Sequence, residues 1–114
     1  MGGAVSTRAE QGDDAVVLLD ELWNTFARER GLQWATERAG LFCSFLSINT
    51  PEAHLAAAMM LVPEGWTADV RRYPDGTGNA TLYEWSPPCR NVRSIGLKSP
   101  AHALISAISR IGEA

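Results

Sequence analysis

Trp66-Thr67-Ala68-Asp69-Val70-Arg71-Arg72-Tyr73-Pro74-Asp75-Gly76-Thr77-Gly78-Asn79-Ala80-Thr81-Leu82-Tyr83-Glu84-Trp85 decides the fold. From Trp66 to Tyr73 the residues alternate, with Trp66, Ala68 and Val70 on one face and Thr67, Asp69 and Arg71 on the other, the period of a strand. Tyr73 to Asn79 then has the chemistry of a hairpin turn, since Pro74 presets φ and the glycines supply positive φ. Asn79 to Trp85 forms a second strand, ended by Pro87-Pro88. Its two faces, Ala80/Leu82 and Thr81/Tyr83/Trp85, are both apolar enough to be covered. Val92 to Lys98 supplies a third strand, with Ile95 and Leu97 expected in the core.

Helices flank this sheet. Thr50-Pro51-Glu52 offers a capping hydroxyl, a proline at the first helical position and an acid in the first turn. The helix body, Ala53 to Leu61, is apolar nearly all round and so calls for cover on more than one side. Pro63 pushes Val62 out of the α region, and Gly65 completes the reversal into Trp66. Ser99-Pro100 repeats the cap-then-proline start. There Ala101, Leu104, Ile105, Ile108 and Ile111 make an apolar stripe with Ser106, Ser109 and Arg110 opposite, and Gly112 closes the helix. Upstream, Asp13 is the expected N-cap of an amphipathic helix over residues 15–30, with Val16, Leu19, Trp23 and Phe26 as its stripe and Gly31 as its stop. Residues 32–48 fit either a helix from about Gln33 to Leu46 or, from Leu41, a short buried strand; length favours the helix. Residues 1–12 lack periodicity and read as a disordered tail.

The order is thus α–α–α–β–β–β–α: a single domain over residues 13–114, with N-terminal helices in 13–48 and an αβββα unit in 49–112. The class is α+β, a three-stranded antiparallel meander with flanking helices. Because strand two is apolar on both faces, an α/β/α sandwich is expected.

Length and composition agree with one globular domain. The chain has 114 residues, 46% of them hydrophobic and 20% charged, values of a folded rather than a disordered chain. Net charge is −3, too acidic to suggest nucleic acid from charge alone. Two cysteines, Cys43 and Cys89, are too few for a disulfide scaffold and are expected as free, mostly buried thiols. No apolar run has the ~18 residues of a membrane span, and with no signal peptide the expected location is a reducing cytoplasm. Met1 to Ser6 fits an N-myristoylation pattern, and Asn79-Ala80-Thr81 a glycosylation sequon; patterns this short match often by accident.

Ala53-His54-Leu55-Ala56-Ala57-Ala58-Met59-Met60-Leu61-Val62-Pro63-Glu64-Gly65-Trp66, followed by Ser99-Pro100-Ala101-His102-Ala103-Leu104-Ile105, resembles the phage ABA sandwich domain family. Its members are small proteins of phages and prophages with no established biochemical role. The resemblance spans about residues 50–112 and departs at Ala56, where an acidic residue is common. It implies a sandwich fold and a phage or prophage origin in a bacterial host cell, and it carries over no catalytic residue.

The chemistry-bearing residues are sparse. Cys43, His54, Cys89 and His102 lack the close pairs of a zinc site, and no metal or cofactor is expected. Cys89, beside Arg90, is a thin candidate for a reactive thiol. Gly76-Thr77-Gly78 joins two strands, whereas phosphate cradles feed a helix. The αβββα order is similar to that of double-stranded-RNA-binding modules, but their basic helix start is represented only by Lys98 and His102. What remains is a candidate binding surface of Arg71, Arg72, Tyr73, Tyr83, Trp85, Arg90 and Arg93. Arginine with aromatics can grip a nucleic-acid strand; the plainer reading packs the tyrosines under helices. The expected function is therefore a non-enzymatic accessory protein acting on a protein partner, a phage or host protein or a second copy. A weak nucleic-acid-binding module is the alternative.

Overall fold

The computed structural model describes residues 4–111, so the myristoylation pattern at Met1-Gly2-Gly3 and the stop at Gly112 lie outside the described residues. The chain forms α1 (Ala4–Glu10), α2 (Ala15–Arg30), α3 (Leu32–Ile48), α4 (Pro51–Met59), β1 (Trp66–Arg72), β2 (Gly78–Glu84), β3 (Asn91–Leu97) and α5 (Pro100–Ile111). The strands make one antiparallel sheet in the order β1-β2-β3. The α+β class and the meander with flanking helices are therefore as expected.

The layers are stacked differently from an α/β/α sandwich. Helix α5 packs on all three strands and also on α1, α2 and α4, while α3 packs on α2 and α4. The helices thus lie behind one face of the sheet, and β2 shows why. Gly78, Ala80 and Leu82 are buried on the helix side, whereas Tyr83 on the other side is exposed. Aromatics at 83 and 85 made both faces look like core; only one is.

Helix α5 fills the middle. Pro100 through Ile108 are all buried, including Ser106, expected on the polar side and in fact fully buried. Its hydroxyl is bonded to Ser94 Oγ on β3 at 3.0 Å and Ser6 Oγ on α1 at 3.2 Å, so burial leaves no polar atom unpaired. Ser6 and Ala9 are themselves buried, which corrects the reading of residues 1–12 as a tail over the described residues 4–12: α1 is short, but it closes one side of α5.

Local chemistry explains most of the other boundaries. Asp14, not Asp13, caps α2, accepting from the Val16 N–H at 2.9 Å; Asp13 pairs with Arg8 at 3.1 Å. Thr50 Oγ1 accepts from the Ala53 N–H at 3.1 Å at the start of α4. Helix α3 is a helix throughout, ended by Asn49 in the left-handed region (φ 56°). Trp23 stacks on Phe42 at 4.6 Å and meets Trp34 at 5.1 Å, joining α2 to α3. Cys43 and Cys89 are free, and both are exposed rather than buried.

Strand β3 departs from simple alternation. Gly78 pairs with Leu97 and Ala80 with Ser94, so an extra residue is inserted opposite Asn79. Gly96, at φ 72°, makes this bulge. The inserted residue puts Val92, Ser94 and Leu97 on the buried side. Ile95, expected in the core, is turned outward and is 62% exposed. Among the described residues no helix is long and apolar enough to cross a membrane.

Candidate functional site

The uncovered face of the sheet is built by period-two alternation in three strands. In β1 it takes Thr67, Asp69 and Arg71, in β2 Asn79, Thr81 and Tyr83, and in β3 Asn91, Arg93 and Ile95. The register sets these in rows. Thr67 is opposite Tyr83, which is opposite Asn91; Asp69 is opposite Thr81, which is opposite Arg93. A shallow depression of about 240 Å³ runs over the lower rows between Asp69, Tyr73 and Arg93.

Of the seven residues expected to bind, the fold gathers five here. Arg71 extends from β1 and approaches Asp69 at 4.0 Å, with both side chains largely exposed, so the pair contributes little. Tyr73 follows β1, and its hydroxyl accepts from Asn79 Nδ2 at 3.0 Å; Asn79 Oδ1 in turn accepts from the Gly96 N–H at 2.8 Å. The bulge and the phenol are thereby tied together. Tyr83 is half-exposed on the middle strand, in the row nearest the end of the sheet. Trp85, 74% exposed, lies back over β1, where its indole N–H donates to Thr67 Oγ1. Arg93 stands on β3, in the same row as Asp69.

The other two lie elsewhere. Alternation sends Arg72 to the helix side, where it meets Glu52 at 3.3 Å. Arg90 lies in the β2–β3 connection and grips Glu84 with Nε at 3.0 Å and Nη2 at 3.1 Å, its backbone N–H adding a bond at 3.2 Å. These bonds hold the Glu84 carboxyl below its ordinary value, the side-chain bond from Arg90 being the largest cause. Arg90 also sits over the Trp66 ring at 5.3 Å. It is a structural clamp on the helix-to-strand corner.

The expected binding surface did not include Thr67, Asp69, Asn79, Thr81, Asn91 or Ile95 of this face. The β1 alternation already put Asp69 beside Arg71; Gly96 was the signal for Ile95. No family model, curated protein or solved structure matches this chain. The face offers guanidinium forks, two phenols, an indole and one carboxylate on the sheet. No cysteine or histidine is among the residues of this face.

Proposed function

We propose that this protein acts by protein–protein contact through the uncovered sheet face, without catalysing a reaction, and that the partner is a second copy of the chain. The observation that carries the reading is that face itself: Tyr83, Trp85 and Ile95 exposed together beside Arg71 and Arg93. Tyrosine, tryptophan and arginine are the residues enriched at binding hot spots. The row Asp69–Thr81–Arg93 favours a second copy. It carries a negative charge on one edge and a positive charge on the other, so a two-fold rotation about an axis parallel to β2 sets Asp69 against the partner's Arg93, twice. Three seven-residue strands span a face of roughly 14 by 24 Å. That is well below the ~800 Å² per partner of a standard interface, so the dimer is weak and salt-sensitive. A phage or prophage setting is part of the proposal and is supported by the resemblance of residues 53–66 and 99–105 alone.

Sedimentation velocity across the micromolar range tests it. Arg93→Asp and Asp69→Arg should each abolish association, and the double exchange should restore it. A wild-type chain that stays monomeric overturns the dimer. The second reading, a weak nucleic-acid-binding module, draws on Arg71, Tyr73, Tyr83 and Arg93 sharing one face. Against it stand Asp69, beside Arg71 and in the same row as Arg93, and the net charge of −3. Retention on single-stranded nucleic acid at low salt, falling as salt rises, would favour it.

A further inference from the structure

On the helix side of the sheet, away from the face just described, a pocket of about 670 Å³ opens between α4, β1 and the starts of α2 and α5. That size suits a small organic ligand, for which sites run to about 300–1,000 Å³. Its walls are mainly apolar: Leu55 and Pro51 from α4, Val70 from β1, Pro100 from α5 and Ala15 from α2.

His102 forms a rigid part of the wall and is 6% exposed. Its Nε2–H donates to the Asp13 carbonyl at 2.7 Å, and its Nδ1 shares a hydrogen bond with the Ser99 hydroxyl at 2.6 Å. Because the Asp13 carbonyl can only accept, this bond requires a hydrogen on Nε2 and holds the ring in place.

Four charged side chains line the pocket, Asp14 and Glu52 against Arg72 and Lys98, and most of them are engaged by a partner. Asp14 is occupied in capping α2, and Glu52 is paired with Arg72. Lys98 is the exception. Among the described residues its hydrogen-bond acceptor is the Gly12 carbonyl at 3.3 Å, and no carboxylate lies within ion-pair distance. The first turn of α5, which also faces the pocket, holds no acidic residue, so the positive end of its dipole adds to the Lys98 charge.

We propose that this pocket binds a small amphipathic carboxylate, its apolar body against Leu55, Val70 and Pro51 and its carboxylate at Lys98 and the start of α5. The site is independent of self-association, because the two lie on opposite faces of the sheet.

Titration of the full chain with octanoate, followed by amide chemical shifts, provides the test. Saturable shifts should centre on Leu55, Val70 and His102. Across a series of acids from six to ten carbons the affinity should rise about fourfold per methylene. Octanol, of similar shape but uncharged, should bind about tenfold more weakly. Lys98→Gln, at an exposed side chain, should weaken octanoate about threefold while leaving octanol unchanged. Val70→Trp, which fills the pocket, should abolish binding of both. If that variant does not fold, the shift map and Lys98→Gln decide. No saturable shift, equal affinity for acid and alcohol, or shifts centred on the Tyr83 face would each overturn the proposal.

Discussion

Gly78→Ala probes how closely β2 runs against the start of α5. A Cβ at Gly78 would stand 2.5 Å from both the Cα and the N of Pro100, and 2.9 Å from the carbonyl carbon of Ser99. Carbon atoms in ordinary contact sit about 3.5–4.0 Å apart, so strand and helix must separate by about 1 Å. Neither can yield by rotating a side chain, since the opposing atoms are backbone. Ser99 is further held through His102 to the Asp13 carbonyl. Overpacking costs typically about 1–3 kcal/mol, and contact between two backbones belongs at the upper end, about 3 kcal/mol. Against a total stability of about 5–15 kcal/mol, that is a large loss, equivalent to a fall in Tm of roughly 10 °C. Gly40→Ala is the matched control. Gly40 lies in the interior of α3, and a Cβ there meets nothing within 4 Å. The same methyl group should stabilise the protein by about 0.5–1 kcal/mol through helix propensity. Urea unfolding followed by circular dichroism reads both, as midpoint shifts at constant m. If Gly78→Ala falls within about 0.5 kcal/mol of the wild type, the reasoning about the β2–α5 approach is refuted.

Three further outcomes are expected. Ser106→Ala should cost about 1–3 kcal/mol in the same assay, because it removes the shared partner of two buried hydroxyls; an unchanged midpoint would show that Ser6 and Ser94 find other partners. Glu84 has its folded pKa depressed below the ordinary 4.5 by Arg90, so its contribution is whole above that pH and is lost as pH falls through the folded value. Glu84→Gln should therefore lower stability at neutral pH and flatten the acid limb, the two curves meeting at the lowest pH; parallel curves would contradict the pairing. Trp85→Ala should leave the urea midpoint within about 0.5 kcal/mol of wild type while weakening association in sedimentation, and a change in stability alone would count against a binding role for the ring.

Much of this fold was legible because its boundaries are chemical. Thr50-Pro51, Ser99-Pro100, Pro63/Gly65 and Pro74-Asp75-Gly76 each force a start or a reversal whatever the tertiary surroundings. The parts that escaped depend on packing across long sequence separations. Helix α1 is Ala9 and Ser6 pressed on α5, and small residues leave no periodic trace when buried. Ser106 reads as surface until two other serines are seen to satisfy it. Strand β3 alternates as far as Ile95, and the bulge at Gly96 then brings Leu97 inward, so Ile95 and Leu97, two residues apart, lie on opposite faces. Tyr83 and Trp85 posed the hardest ambiguity, since an aromatic residue looks the same whether it is destined for a core or for a contact surface. Arg72 and Arg90 were grouped with that surface by proximity in sequence. Alternation sends the first to the opposite side of the sheet, and Glu84 claims the second.

Helix α5 has one more consequence, for the order of synthesis. It holds the inner sheet face on one side and α1, α2 and α4 on the other, yet it is the last described element to be made. Until it leaves the ribosome, Ala80, Leu82 and Val92 have no layer to lie against, and Ser6 waits for a partner 100 positions downstream. Such distant pairing makes folding slow relative to local helix formation. The nascent chain must therefore remain soluble with an unfinished sheet, and a product stopped before Ser99 would be an unfolded chain rather than a smaller domain.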